Sequence, residues 1–142
     1  MIRHVPQRAG MDCGVACVAM AAGVSYEAAA AAIGRWPRTK GVSSLRGAAA
    51  LERLTGRRWV CLAPTNPAYP LSEYSRWSRR PALVLVGRRG WAAGAAHWVV
   101  VAGKAVHDPN YAAAARLATW RRRNWTLIAI IAPERTRPPR WR

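Results

Sequence analysis

The stretch QRAGMDCGVACVAMAAG, residues 7 to 23, sets an amide, a carboxylate and a thiol just ahead of a run of small apolar residues. That run reads as a buried helix beginning at Cys13, with Asp12 as its N-cap and Gly23 as its C-cap. A thiol at a helix start meets free backbone N–H groups and the positive end of the helix dipole. Both favour the thiolate, which is the reactive form. Cys13 is therefore the candidate nucleophile. Cys17, one turn further in, is expected to be an inert thiol packed beside Ala16 and Met20.

A cysteine nucleophile needs a base, and the chain offers only His4, His97 and His107. The segment HWVVVAGKAVHDP, residues 97 to 109, separates them. If Gly103-Lys104 is a two-residue hairpin turn, Ala102 pairs with Ala105, Val101 with Val106, Val100 with His107 and Val99 with Asp108. Side chains alternate along a strand, so His97 shares a face with Val99 and with Asp108, one diagonal step away, while His107 points to the other side. His97 is then the base and Asp108 the group that orients it, as a Cys-His-Asp site requires. Gln7, six positions before Cys13, could supply an oxyanion donor together with the Cys13 backbone N–H. Taken singly, Gln7 would be a surface glutamine, and His97 with Asp108 an ordinary cross-strand polar pair. In combination with Cys13 at a helix start, they favour catalysis.

The order Q-x5-C-G-x-A-C at 7 to 17, HWVVV at 97 to 101 and HDP at 107 to 109 resembles the C39 family of papain-like cysteine peptidases. The resemblance spans roughly residues 7 to 132. It implies a papain-like α+β fold, with N-terminal helices carrying the cysteine and a later antiparallel sheet carrying the histidine and aspartate. It also implies Cys13 as nucleophile, His97 as general base, Asp108 as orienter and Gln7 as oxyanion donor. The best-known members of that family cleave leader peptides after a Gly-Gly pair and are fused to peptide-exporting ABC transporters. Neither a membrane segment nor a nucleotide-binding motif follows the peptidase region here, so the expectation is a stand-alone peptidase acting on a peptide or protein substrate.

The elements that must hold these residues follow from pattern. A second helix, SYEAAAAAIG, starts at the Ser25 cap and stops at Gly34; a third, SSLRGAAALERLTG, ends at Gly56. Short β-rich runs come next at 58–63, 82–87, 97–103, 105–108 and 124–132, and 111–120 reads as one further helical turn or two. Helices first and antiparallel strands afterwards give an α+β domain, residues 1–132, followed by a basic, proline-containing tail at 133–142 that is expected to be mobile.

Composition bounds the rest. A chain of 142 residues with 51% hydrophobic and 20% charged residues is long enough for one modest core, so one globular domain is expected. The excess of 23 basic over 6 acidic residues, a net charge of +17, would attract nucleic acid, anionic membrane or an acidic partner whatever the fold does. Trp36, Trp59, Trp77, Trp120 and Trp141 are each flanked by arginine, and WRRRNW at 120 to 125 is a dense cluster, a pattern that could stack on bases and grip phosphates. A non-catalytic module binding an acidic partner, or a nucleic-acid-binding accessory protein, is therefore the rival reading. Three cysteines suit a reducing compartment better than a disulfide framework, and their spacing holds no metal pattern, so no metal or cofactor is expected. The first ten residues lack the apolar region of a secretory signal, and the longest apolar stretch, TLIAIIA, is far below the roughly 20 residues that span a bilayer. A cytoplasmic protein without a membrane span is expected.

Overall fold

The computed structural model describes residues 2–37, 40–64, 80–88 and 96–134. Three helices, α1 (Cys13–Ala22), α2 (Tyr26–Ile33) and α3 (Ser44–Thr55), precede a six-stranded sheet, an α+β architecture as the sequence pattern predicts. The strands are β1 (Trp59–Leu62), β2 (Ala82–Gly87), β3 (His97–Ala102), β4 (Ala105–His107), β5 (Ala115–Arg116) and β6 (Thr126–Pro133), in the spatial order β1-β6-β2-β3-β4-β5. Every neighbouring pair is antiparallel. Segment 111–120, where one helical turn or two is expected, holds a single 3-10 turn at Leu117–Thr119, preceded by the two-residue strand β5. Leu117 donates its N–H to the Lys104 carbonyl at 2.7 Å, and this bond holds the segment against the β3–β4 hairpin. The expected mobile tail lies, beyond Glu134, outside the described residues.

Helix boundaries follow local chemistry. The Ser25 and Ser43 hydroxyls accept from the N–H groups of Ala28 and Arg46, capping α2 and α3, and Gly23 ends α1 in the left-handed region at φ 70°. Asp12 departs from its expected role. Its backbone carbonyl accepts the first helical N–H bonds, from Val15 and Ala16, but its side chain does not cap α1. The carboxylate turns back and accepts from Arg8 N (2.9 Å), Ala9 N (3.1 Å) and the Tyr26 hydroxyl (2.7 Å). It is wholly buried, and a buried carboxylate is held where donors are most numerous, which here is the preceding loop and not the helix end.

Both faces of the sheet are covered, as the two-residue alternation of its strands allows. Leu83, Trp98, Val100 and Ile131 pack against α1 and α3, while Val84, Val86, Val99, Val101, Leu127 and Ile130 pack against Leu117 and Trp120. Helix α1 is buried from Cys13 to Met20, which explains its run of small side chains: it lies sandwiched between the other helices and β3. The β3–β4 pairing is the one expected from the Gly103-Lys104 turn, with Val100 opposite His107, Val101 opposite Val106 and Ala102 opposite Ala105. Gly103 has φ 58°, the left-handed conformation that this turn demands.

Close approach at one point fixes α1 to the sheet. A Cβ on Gly14 would lie 2.7 Å from the Val42 Cβ and 3.3 Å from Trp98 Cδ1. Gly14→Ala is therefore expected to lower folding stability by about 1–3 kcal/mol through overpacking, despite alanine's better helix propensity. Urea denaturation measures this; an unchanged or raised midpoint would show that the Val42 loop yields without cost.

Candidate active site

Three of the four residues singled out by sequence meet around one cavity of about 350 Å³, lined by Gln7, Cys13 and His97 along with Met11, Leu85 and Trp98. Cys13 is the first residue of α1, so its N–H has no acceptor within the helix, and its side chain is 9% exposed. The Trp98 backbone N–H points at the Cys13 sulfur at 3.5 Å, a donor suited to negative charge there. Met11, two residues earlier, adopts φ 66°, a left-handed conformation costing about 1–2 kcal/mol for a non-glycine residue. The loop that leads into this turn is held by the Arg8 and Ala9 N–H bonds to the Asp12 carboxylate.

His97 opens β3, and its imidazole is nearly buried, at 7% exposure. Nε2 donates to Asp108 Oδ1 at 2.7 Å, which leaves Nδ1 free of that bond, on the cavity that Cys13 also lines. Burial alone would push the imidazole pKa down. The bonds to Asp108 and Cys13 outweigh it, so the His97 pKa lies above its ordinary value.

Asp108, the third member, is 2% exposed and is held by three hydrogen bonds and one ion pair. Oδ1 accepts from His97 Nε2 and from the Asn110 N–H at 3.0 Å; Oδ2 accepts from Trp120 Nε1 at 3.2 Å and faces Arg122 Nη1 at 3.4 Å. Burial opposes ionisation, but His97, the Asn110 N–H and the Arg122 charge prevail, holding the carboxyl below its ordinary pKa. Both oxygens are thus engaged, and the surroundings favour the anion.

Gln7 reaches the cavity from the N-terminal segment, whose backbone is tied down when Gln7 N donates to the Pro109 carbonyl at 2.9 Å. Its side-chain Nε2 donates to the Ala9 carbonyl at 3.1 Å, using one of its two hydrogens. His4 anchors the same segment: Nε2 donates to the Tyr111 carbonyl at 2.6 Å, and Nδ1 meets Nδ1 of His107 at 3.4 Å. Thus His107 serves the N-terminal segment on the other side of the hairpin from His97, as alternation along β4 requires. Burial, and then the charge of His4, depress its pKa.

The other thiols differ. Cys17 is completely buried, and desolvation, followed by the negative charges of Cys13 and Asp108, pushes its pKa well up. Cys61 is on the exposed side of edge strand β1, its pKa raised by partial burial and by Glu52. Among the described residues no group of three or more His, Cys, Asp or Glu could hold a metal ion, and no single helix is long and apolar enough to cross a membrane.

Sequence reasoning missed the residues behind the acid. Trp120 and Arg122 belong to WRRRNW, which by composition looked like a nucleic-acid-binding cluster; Trp120 is 2% exposed and both side chains serve Asp108. Trp59 is also buried, donating Nε1 to Thr55 Oγ1 at 2.9 Å, and Trp36 packs against the helical core. The arginine-flanked tryptophans among the described residues are thus core or site residues, while Trp77 and Trp141 lie outside them.

With this geometry established, the comparisons carry a definite weight. No protein-family model matches the chain, and neither does any curated protein. Among solved structures it is similar to the crystal structure of the peptidase domain of Streptococcus ComA, a bi-functional ABC transporter involved in a quorum-sensing pathway. The likeness has 22% identity and a TM-score of 0.61, and covers 94% of this chain and 100% of that one. The chain has the fold of a peptidase domain.

The ion pair sets a pH window. Asp108 contributes stability above its ordinary pKa of 3.8, lost as pH falls through the lower value it has in the fold. His97 contributes stability below its ordinary 6.5, lost as pH rises through the higher value it has in the fold. Asp108→Asn should therefore lower the His97 pKa, because it removes the largest influence opposing burial. An NMR titration of the His97 ring in both proteins tests this; an equal or higher value in the variant would mean that Cys13, and not Asp108, holds the imidazole.

Proposed function

We propose that this chain is a C39-type cysteine peptidase, and one observation carries the reading: Cys13 and His97 line one cavity, and His97 is held from behind by Asp108 through a buried bond of 2.7 Å. The likeness to a transporter's peptidase domain supports the same class. In this reading the Cys13 sulfur attacks the scissile carbonyl carbon while its proton passes to His97 Nδ1. The carbonyl oxygen, now negative, is held by the Cys13 backbone N–H and the Gln7 amide. Collapse breaks the C–N bond, His97 protonates the departing amine, and an acyl thioester remains on Cys13. Water then gives a proton to His97 and attacks the thioester, releasing the acid and returning the proton to the thiol. Asp108 keeps Nε2 protonated, so that Nδ1 always faces the sulfur.

The substrate proposed is a peptide or protein cleaved after small residues, the Gly-Gly pair of the resembled family being the first sequence to test. The three free thiols suit a reducing, cytoplasmic setting. The net charge of +17 favours an acidic partner or substrate flank, and is the observation behind the rival reading of a non-catalytic binding module.

A thiol-directed covalent inhibitor should label Cys13 much faster than Cys17 or Cys61, and His97→Ala should remove the difference. Cleavage profiling with a peptide library should give a defined product set for wild type and none for Cys13→Ala. Equal labelling of the three thiols, or the same products from Cys13→Ala, would overturn the peptidase in favour of the binding module.

A further inference from the structure

We infer that Arg122 and Asn110 set the polarity of the Gln7 amide, so that its nitrogen and not its oxygen is presented to the cavity at Cys13; this rests on the peptidase reading, in which that nitrogen serves the oxyanion. An amide's two ends are nearly isosteric, but only one donates. With its oxygen turned inward, Gln7 would repel the charge it is meant to stabilise. Nothing in the covalent structure of glutamine chooses between the two orientations, so the choice must come from a neighbour.

Arg122 makes that choice. A guanidinium has donors and no acceptor, so whatever it touches must accept. Its Nη2 and Nη1 lie 3.0 and 3.2 Å from one terminal atom of the Asn110 amide, which must therefore be Oδ1. Nδ2 of Asn110 is then turned to the Gln7 amide, 2.6 Å from Oε1 and 3.1 Å from Nε2. An N–H2 group can only donate, so the nearer Oε1 is its acceptor, and Nε2 must spend its hydrogens on other partners. The Nε2 bond to the Ala9 carbonyl at 3.1 Å has the same polarity, and leaves the second Nε2 hydrogen for the cavity that Gln7 and Asn110 both line. A donor-only cation at one end thus orders two amides in series.

Arg122 is well held for this task. Its side chain is 16% exposed, its guanidinium lies 4.7 Å from the Trp125 ring centre, and Nη1 faces Asp108 Oδ2. One side chain therefore touches both halves of the site, the acid behind His97 and the amide series leading to Gln7. Arg122 and Asn110 are positioning residues. Asn110 is exposed at the cavity mouth, so it can be changed with little effect on the core.

The experiment uses the full chain with Asn110→Leu, Asn110→Asp and Gln7→Ala. Asn110→Asp keeps a partner for Arg122 but shows oxygen to Gln7, turning the amide over. It should lower kcat for peptide cleavage on the order of 100-fold, as Gln7→Ala should, with KM little changed. The double variant Gln7→Ala/Asn110→Asp should be no slower than Gln7→Ala alone. Alkylation of Cys13 by iodoacetamide, which develops no oxyanion, should proceed at the wild-type rate in Asn110→Leu. Wild-type kcat in both Asn110 variants beside a slow Gln7→Ala would overturn the inference. So would multiplying losses in the double variant, or an alkylation rate that falls as far as kcat, which would place the effect on Cys13 and His97. A readout independent of turnover is the side-chain amide NMR signal of Gln7, which should move between wild type and Asn110→Asp; an unmoved signal overturns the inference. If cleavage survives Cys13→Ala while the Gln7 signal moves as expected, the peptidase reading fails and the amide ordering stands.

Discussion

The candidate site depends on one buried anion. Asp108 sits at 2% exposure in a fold where an unpaired carboxylate would have to take up a proton, and three hydrogen bonds with the Arg122 charge prevent that. Each donor comes from a different part of the local chain: the start of β3, the turn after β4, the 3-10 segment and the loop before β6. Satisfying the carboxylate therefore assembles these parts, and the same bonds that make its burial tolerable fix the imidazole of His97. Removing the acid would cost more than one hydrogen bond, since Trp120, Arg122 and His97 would all be left facing a void. Stability and the proposed chemistry draw here on the same contacts.

A second buried acid does comparable work on the other side of the cavity. Asp12 binds the N–H groups of Arg8 and Ala9 and the hydroxyl of Tyr26, so it joins the loop bearing Gln7 to α1 and α2. The chain has only six acidic residues, and the two that are buried among the described residues both organise the walls around Cys13. The Asp12-Cys13 pair therefore acts in two directions: the carboxylate reaches back to order the loop, and the thiol reaches forward into the cleft.

Much of this was readable in the residues because it is local. Serine caps, glycine stops and the Gly103-Lys104 turn fix the three helices and the hairpin register, and the register alone brings His97 to Asp108. What could not be read is long-range. No periodicity marks a two-residue strand followed by one 3-10 turn, and nothing in WRRRNW says that Trp120 aims its N–H at a carboxylate twelve residues earlier. Asp12 looked like an ordinary cap because the motif for capping describes neighbours along the chain, whereas its actual partners are decided by the loop folding back and by Tyr26 from the next helix. Gln7 was placed by analogy with a family. Its amide direction follows only from contacts with Asn110 and Arg122.

That last contrast bears on how the charge of this protein should be weighed. Most of its basic residues among those described are exposed, and at physiological ionic strength an exposed charge is largely screened beyond about 8 Å. Their sum governs which partners approach, and can do so without touching the chemistry. Arg122 differs in kind, because it is half-hidden and shares its guanidinium between Asp108 and Asn110. Screening barely reaches such contacts, so one inward arginine constrains the site more than the remaining excess does. A basic run in a sequence can therefore hold two separate functions within three residues: Arg121 is exposed to solvent near Tyr111, while Arg122 belongs to the cleft. Composition counts the two alike. The physical difference between them is whether a buried acceptor lies within reach, and in this fold that acceptor is Asp108.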